Sequence, residues 1–308
     1  MKISHTPVMT QQVLKGLNIK SGLNYIDCNE GEAGHTEAIL NAVSPPPNVL
    51  GIDLDESVLN QAKKRLRNFQ ENTVFINGNF KDIKKIASIN NIQKVHGILF
   101  DLGMSSFQIE NMDRGFSFRA QSSLDMRYDT EQKFTASEIV NKYGEKQLAN
   151  IIFEYGEERY SRRIARSIVN SRPLETTSDL VLAILKAIGA RSKSNRIHPA
   201  TKTFQAIRIE VNNELESLKK GISDAIELLC NEGRLVVLSY HSLEDKIVKS
   251  IIKRESENCV CPTAQIYCIC NHSASLKLIN RKVIKPTDKE VSLNPRSRSA
   301  KLRIAQKF

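Results

Sequence analysis

Short apolar runs alternate with amphipathic segments along the first hundred residues. The runs at 25–27, 49–53, 74–77 and 96–101 are typical of buried β-strands, whereas 36–40 and 56–69 have the spacing of amphipathic helices. A glycine-containing loop and the Pro45-Pro46-Pro47 segment separate these runs. Alternating strands and helices predict a parallel sheet with helices on both of its faces.

The pattern then becomes purely helical between about residues 109 and 204. Helices are predicted at 136–143, 146–155, 161–171 and 178–188. A long helix from about 207 to 230 and a strand at 234–239 restore the α/β pattern. The predicted fold class is therefore α/β. A Rossmann-like domain with a mostly parallel sheet comprises residues 1–108 and 206–308, and an all-helical domain is inserted at 109–205.

Composition narrows the choice of environment and partner. The chain has 308 residues and no apolar run near the ~20 residues of a membrane helix. Residues 1–6 lack the apolar core of a signal peptide, so we expect a cytoplasmic protein with reduced cysteines. The net charge of +11, which includes a basic tail at 281–308, favours a polyanionic partner, although a solvated basic surface is the alternative.

The loop at 27–35 joins the first strand to a helix at the edge of the sheet where doubly wound folds bind ligands. About 20 residues later Asp53 ends the second strand, where a carboxylate can bind ribose hydroxyls. Glu30 and Glu32 in the loop would repel a pyrophosphate, so the pattern favours the cationic S-adenosylmethionine (AdoMet) over a dinucleotide. A tight turn followed by a solvated aspartate is the simpler alternative.

Asp101 follows the fourth strand and should lie at the same edge as Asp53, where chemistry would take place. Its alternative role is that of a turn or helix-capping residue. Tyr240 and His241 end another strand and are candidates to face a substrate, although a lone histidine is more often structural.

The run at 195–208 lies at the junction of the two predicted domains, a usual place for a binding cleft. Lys202 and Arg208 could hold phosphates while Phe204 stacks on a base. A core position for Phe204 is the simpler alternative.

Two C-x-C pairs occur close together, Cys259 with Cys261 and Cys268 with Cys270. Four thiolates at this spacing could hold one zinc ion, but the spacing is not the common C-x-x-C. We favour four reduced thiols in a loop and assign no metal.

Several stretches jointly resemble one family, the bacterial methyltransferases that modify the N4 atom of a cytosine in small-subunit ribosomal RNA. The matching stretches are residues 5–9, 27–36, 51–55, 101–106, 114–118, 124–127, 155–159, 198–208, 239–245 and 294–303. They extend through nearly the whole chain in the family's order. The loop departs from the family pattern, because Ala33 stands where the family has a glycine-rich run.

The resemblance implies an AdoMet-dependent enzyme whose helical insertion helps bind RNA and whose target is a cytidine in the decoding region. The partner would be small-subunit ribosomal RNA or the assembled subunit, and a homodimer is left open. The cofactor contacts that the resemblance implies are Ala33, Gly34, His35, Asp53, Phe80, Asp101 and Gln108. Asp101, Ser105 and Ser106 are the catalytic candidates. Candidates for RNA contact are Arg127, Arg159, Lys202, Phe204, Arg208 and His241. A DNA cytosine-N4 methyltransferase and a non-catalytic RNA-binding or ribosome-assembly factor are the alternatives.

Overall fold

The computed structural model describes residues 7–105, 108, 112–118, 121–189, 198–262, 265 and 267–308. The chain divides into two compact units, one formed by residues 1–103 and 215–308 and the other by residues 104–214. The predicted junctions, 108/109 and 205/206, differ from these. The second falls inside a helix, Ala200–Asn212, whose continuous backbone hydrogen bonding keeps it in one unit.

Seven strands form a single sheet in the first unit. They are β1 (Asn24–Asp27), β2 (Asn48–Asp53), β3 (Thr73–Asn77), β4 (Val95–Asp101), β5 (Leu229–Ser239), β6 (Leu276–Leu278) and β7 (Lys301–Lys307). Their order in the sheet is β3-β2-β1-β4-β5-β7-β6. Strands β1 to β5 are parallel to one another, and β7 is antiparallel to both β5 and β6. The predicted Rossmann-like fold with a mostly parallel sheet is confirmed.

The described helices follow the amphipathic segments of the sequence. They are α1 (Thr10–Leu17), α2 (Gly34–Leu40), α3 (Glu56–Arg65), α4 (Ile83–Ile89), α5 (Ala136–Lys142), α6 (Glu145–Glu154), α7 (Ser161–Asn170), α8 (Thr177–Ile188), α9 (Ala200–Asn212), α10 (Glu214–Leu228), α11 (Ser242–Glu255) and α12 (Asp288–Leu293).

Apolar side chains cover the sheet in two clusters, because a strand buried on both faces points alternate residues to opposite sides. Ile26, Ile52 and Phe100 belong to one cluster, whereas Tyr25 and Leu99 belong to the other. Burying both faces fixes the register of β1, β2 and β4. This register aligns the carboxyl ends of the strands along one edge.

The second unit has a core of its own, built from the apolar faces of α5 to α9 and the segment that precedes them. Within the described part of residues 104–214 the extended pairing is limited to one isolated bridge, between Ser123 and Thr176. Helix α8 begins with a capping box in which Thr176 and Asp179 bond each other's backbone amides.

Two predictions about elements need correction. The single helix expected from 207 to 230 is two helices, because Asn213 adopts a left-handed conformation with φ 48° and ends α9. Residues 276–278 and 301–307 were not predicted as strands, yet they form the antiparallel edge of the sheet. Leu302 and Ile304 are buried there and alternate with the more exposed Lys301 and Arg303.

In the part of the chain that the structure describes, every helix is too short or too polar to cross a bilayer.

Candidate functional site

Three aspartates end neighbouring parallel strands of the first unit. Asp27 ends β1, Asp53 ends β2 and Asp101 ends β4. Because the carboxyl ends of parallel strands meet at one edge, the aspartates face the crevice in which open α/β sheets bind their ligands. The edge is therefore the candidate site.

The loop after β1 is tied to the end of β2 by its backbone. Gly31 has a φ of 56°, and its amide donates to Asp53 Oδ2 over 2.9 Å. Ala33, completely buried, has a φ of 63° at the position that precedes α2. The positive φ costs an alanine roughly 1 kcal/mol relative to glycine. This strain belongs to the folded backbone, so it lowers folding stability before any cofactor binds.

Asp53 is held by backbone amides on both carboxylate oxygens, with Asp55 N donating to Oδ1 over 2.9 Å and Gly31 N to Oδ2. A carboxylate offers about four acceptor positions, so Asp53 keeps the capacity to accept a further hydrogen bond. Burial raises the pKa of Asp53 to about 6, against the lowering effect of these amides. At neutral pH the group is therefore an oriented anion that can still accept a hydrogen bond, which suits a ribose hydroxyl.

Phe80 begins a single turn of 3₁₀ helix, Phe80–Asp82, after β3. Its ring packs edge-to-face on Phe100, with ring centres 5.5 Å apart. Gly221 of α10 approaches the ring so closely that a Cβ there would lie 2.7 Å from Cδ2 of Phe80. The ring is thus fixed in place and only partly buried, as a platform for an adenine requires.

Asp101 lies between a phenol and an imidazole. The hydroxyl of Tyr240 donates to Asp101 Oδ1 over 2.7 Å, and His35 Nε2 lies 3.4 Å from Asp101 Oδ2. The Asp101 side chain keeps 22% of its surface exposed, whereas His35 keeps 5%. Gly103 makes room for the contact between Tyr240 and Asp101, because a Cβ at Gly103 would lie 3.0 Å from the Tyr240 ring.

The protonation of these groups follows from burial and from the nearby carboxylates. Burial, reinforced by Asp101, raises the pKa of Tyr240 well above its ordinary value, so it remains a hydrogen-bond donor. Burial alone would lower the pKa of His35, but Asp101 and Asp27 outweigh it and raise this pKa. The arrangement leaves Asp101 with open acceptor positions toward solvent.

Glu30 lies inside the fold and not on the surface of the loop. It is buried, with 3% exposure, and its Oε2 accepts a hydrogen bond from the Thr36 hydroxyl over 2.7 Å. Burial and the neighbouring Asp27 raise its pKa well above the ordinary value. The side chain packs inward against Gly51. That Glu30 attracts a cationic cofactor by its charge stays a prediction.

The residues of the edge fit AdoMet on a further observation. Asp27 Oδ2, Asn29 Oδ1 and His35 Nδ1 are buried and have no hydrogen-bond partner among the described residues. Buried polar atoms of native proteins normally have partners. These atoms belong to the loop whose Gly31 amide bonds Asp53. The charged amino-acid moiety of AdoMet carries groups that would form hydrogen bonds with them.

The other predicted cofactor and catalytic residues are distributed as follows. Gly34 is the first residue of α2, and a Cβ there would meet Pro7 at 3.2 Å. Ser105 and Gln108 belong to the helical unit and bond each other, the Ser105 amide donating to Gln108 Oε1 and the Gln108 amide to Ser105 Oγ, each over 3.1 Å. Ser106 lies outside the described residues.

Two of the predicted RNA-contacting arginines are engaged within the protein. Arg127 forms a two-point ion pair with Asp125 and donates to the carbonyls of Thr130 and Gln132. Arg208 forms a two-point ion pair with Glu214, at 2.8 and 2.9 Å. These contacts fix the backbone of the helical unit, so RNA contact by either residue stays a prediction.

Phe204 needs a correction. Its ring has 5% exposure and packs edge-to-face on Phe118 within the core of the helical unit. A base needs an open ring face for stacking. The ring therefore packs in the core and has no open face on which a base could stack.

Arg159 and Lys202 remain accessible. Arg159 is exposed and lies over the ring of Tyr160, 4.8 Å from its centre. Lys202 is about half exposed and donates to the Glu157 carbonyl over 2.8 Å. His241 is the residue that caps α11, with Nε2 2.9 Å from Glu244 Oε1, which favours a structural role.

Sequence reasoning missed the pairing of Asp101 with Tyr240 and the buried carboxylate of Asp27. Strands β4 and β5 are neighbours, and Asp101 is in register with Leu238, two residues before Tyr240. Predicting that β4 and β5 are neighbours would therefore have been enough to bring these two residues together. Burial of Asp27, which raises its pKa to about 7, depends on packing that no local pattern reveals.

Known proteins match this chain over nearly its whole length. The model of the MraW methylase family matches residues 2–308. A protein of Dehalococcoides mccartyi named ribosomal RNA small subunit methyltransferase H is 48% identical over 304 residues, which are 99% of this chain and 86% of that protein. A protein of the same name from Finegoldia magna is 43% identical over 312 residues and covers 100% of both chains. A solved rRNA methylase from Streptococcus thermophilus has a TM-score of 0.44 at 10% identity, covering 100% of this chain and 99% of that chain.

Proposed function

Because the chain belongs to the MraW methylase family, we propose that it methylates the N4 amino group of a cytidine in the decoding region of small-subunit ribosomal RNA. The observation that carries the proposal is the match, at 48% and 43% identity over almost the full chain, to proteins named as small-subunit ribosomal RNA methyltransferases. The family also confirms the methyltransferase activity and the AdoMet cofactor expected from the sequence.

The cofactor is assigned to the strand-end edge. Asp53 would accept a hydrogen bond from the ribose hydroxyls with the acceptor capacity that its backbone partners leave. Phe80 would pack against the adenine, and the Asn29–Gly34 loop would surround the amino-acid moiety. Bound there, AdoMet supplies an electrophilic methyl group on a sulfonium.

Asp101 is assigned the reacting amino group. The N4 lone pair of cytosine is delocalised into the ring, so the nitrogen becomes nucleophilic only as it pyramidalises. A carboxylate that accepts a hydrogen bond from the amino group favours this change and orients the nitrogen. Tyr240 fixes Asp101 by donating to Oδ1, and His35 lies beside Oδ2. The remaining acceptor positions of Asp101 are those directed at the substrate.

RNA binding is assigned to the exposed arginines at the start of α7. Arg159, Arg162 and Arg163 are all exposed, and the first and third lie over the Tyr160 ring at 4.8 and 6.0 Å. We call these three residues the arginine cluster. Of these three residues, only Arg159 is predicted from the sequence to contact RNA. Guanidinium groups held over an aromatic ring suit contacts with phosphate and with unpaired bases, and the target base must itself be unpaired or flipped. A ribosomal substrate also supports the expected cytoplasmic location.

The decisive experiment incubates the full-length protein with small subunits that lack the modification and with AdoMet labelled in its methyl group. Digestion of the RNA to nucleosides, followed by mass spectrometry and mapping of the label, is expected to give N4-methylcytidine at one position. Label on another base, on DNA only or on no nucleic acid would overturn the proposal.

The matched variants are Asp101→Ala and Asp288→Asn, the second at an exposed carboxylate of the same unit. Asp101→Ala is expected to lower turnover by about 10²-fold or more, the usual contribution of a positioned acid or base, with an unchanged circular dichroism spectrum. Asp288→Asn is expected to retain full turnover. Full activity of a folded Asp101→Ala protein would remove Asp101 from the catalytic step.

A further inference from the structure

The described residues of the segment that joins α11 to β6 form no hydrophobic core. None of its described residues between 256 and 275 is buried, and Tyr267 and Ile269 keep 79% and 71% of their surface exposed. A loop of this length needs some other constraint to hold one conformation, because ordering each residue costs conformational entropy. The candidates for that constraint are the four cysteines of the segment.

The four sulfur atoms converge. Each Sγ of Cys259, Cys261, Cys268 and Cys270 lies within 4.8 Å of the other three. The sulfurs of Cys268 and Cys270 are 3.5 Å apart, and those of Cys259 and Cys270 are 3.9 Å apart. Ligands at a Zn–S distance of about 2.3 Å in a tetrahedron are about 3.8 Å from one another. Disulfide sulfurs are about 2.05 Å apart, so these distances fit a metal cage and not a pair of disulfides.

Backbone amides support the sulfurs in a reciprocal pattern. Val260, between the first two cysteines, donates its amide to Cys270 Sγ over 3.4 Å. Ile269, between the last two, donates its amide to Cys261 Sγ over 3.5 Å. Each C-x-C pair thus supplies a donor to a sulfur of the other pair. Such donors stabilise the charge of metal-bound thiolates and orient them.

The spacing of the cysteines alone favours reduced thiols without a metal, but from the convergence of their sulfurs we propose that Cys259, Cys261, Cys268 and Cys270 bind one Zn²⁺ ion. Four soft thiolate donors in a tetrahedral arrangement select zinc among the divalent ions, and four protein ligands leave no open position for catalysis. The thiols release their protons to solvent when the ion binds. The ion links residues 259–261 to 268–270 and takes the place of the missing core. The segment then presents Tyr267 and Ile269 on a rigid loop.

His272 lies close in sequence but is not a ligand. Its Nε2 is 2.9 Å from the Arg254 carbonyl oxygen, and it does not belong to the group of converging ligand atoms. Cys230 lies at the start of β5, outside the group. These two residues supply controls, His272→Ala for a nearby metal-binding side chain and Cys230→Ser for loss of a thiol.

The test measures the metal content of the full-length protein, purified with a reducing agent and without chelators, by plasma mass spectrometry. We expect one zinc per chain in the wild type, in His272→Ala and in Cys230→Ser, and no zinc in Cys268→Ser/Cys270→Ser. Zinc-loaded protein is expected to resist proteolysis between 256 and 275, whereas protein stripped of zinc is expected to be cut there.

A second measurement covers the case in which the double variant does not fold. Wild-type protein stripped of zinc and titrated with Co²⁺ is expected to develop the visible bands of tetrahedral cobalt and a thiolate-to-cobalt charge-transfer band, both reaching a plateau at one equivalent. A wild type without zinc or a cobalt signal would overturn the proposal. So would disulfides among the four cysteines, or iron or copper in place of zinc.

Discussion

Asp53 tests the cofactor site at the scale of a single residue. Replacing it with alanine removes the acceptor for the ribose, and loss of a hydrogen bond to a charged group costs about 1.5 to 3 kcal/mol. The Kd for AdoMet, measured by calorimetric titration, is therefore expected to rise by about tenfold or more. Asp55→Ala is the control, because it keeps the backbone amide that bonds Asp53 while it removes a neighbouring carboxylate that caps α3. An unchanged Kd for Asp53→Ala would remove Asp53 from the site.

Asp27 predicts a pH dependence of stability. Burial raises its pKa from 3.8 to about 7 in the folded chain, with the neighbouring Asp101 and Asp53 acting in the same direction and His35 against it. Between these values the folded chain holds a proton that the unfolded chain has lost, so the contribution of Asp27 to stability falls as the pH rises from about 4 to about 7. Raised pKa values of Asp53 and His35 act with the same sign.

Asp27→Asn removes this proton linkage. The free energy of unfolding of the variant, relative to wild type, is expected to increase between about pH 4 and pH 7. The increase should be at least about 1 kcal/mol, which is roughly the free energy that corresponds to a shift of one pKa unit. Urea denaturation across this range, without added AdoMet, measures it. Asp288→Asn, at an exposed carboxylate, is expected to run parallel to wild type. Parallel curves for Asp27→Asn as well would contradict the assignment.

Single residues also show where sequence reasoning reaches its limit. Asp53 and Asp101 could be found because each ends an apolar run, and strand ends of a parallel sheet share an edge. The burial of Glu30 could not be predicted, because a glutamate in a polar loop gives no sign that its side chain packs against Thr36 and Gly51. Phe204 shows the same limit, since the run around it is polar while its own ring is in a core.

At the scale of elements, the start of α11 links stability to the site. Glu244, with 4% exposure, accepts hydrogen bonds at Oε2 from the amides of Tyr240 and His241, over 2.8 and 3.2 Å. Glu244→Ala leaves both amides without this acceptor and is expected to lower the free energy of unfolding by about 1 to 3 kcal/mol. Glu244→Gln keeps a carbonyl oxygen and should lose less. Urea denaturation of the two variants checks this, and equal stabilities would contradict the capping role.

Strands β1, β2, β4 and β5 were predictable because a strand buried on both faces has a continuous apolar run. Strand β3 lies at the edge of the sheet and is less buried, but its apolar run at 74–76 was sufficient to predict it. Strand β7 was missed because Lys301, Arg303 and Lys307 make its segment resemble a basic tail. Lys301 and Arg303 in fact bond Asp245 of α11, at 3.1 and 2.7 Å. The pairing that turns this segment into a strand is with β5, about 70 residues earlier along the chain, so it is a tertiary effect.

At the scale of the whole molecule, charge and fold act together. A net charge of +11 attracts any polyanion, and this attraction alone does not distinguish ribosomal RNA from DNA. Of the basic residues predicted to contact RNA, Arg127 and Arg208 are held in ion pairs. The arginine cluster is accessible and forms part of the helical unit, away in sequence from the residues assigned to the cofactor. The predicted division of labour between the two units is therefore testable by separating their effects.

The triple variant Arg159→Gln/Arg162→Gln/Arg163→Gln removes three positive charges from the helical unit. If each contacts one phosphate of unpaired RNA, a plot of the logarithm of small-subunit affinity against the logarithm of salt concentration should become shallower by about 2. Filter binding between about 50 and 200 mM salt measures this slope, and calorimetry should give an unchanged Kd for AdoMet. The charge-matched control, Lys63→Gln/Lys64→Gln/Arg67→Gln, alters exposed residues of the α/β unit. An equal loss in both triple variants would mean that overall charge, and not the arginine cluster, binds the RNA.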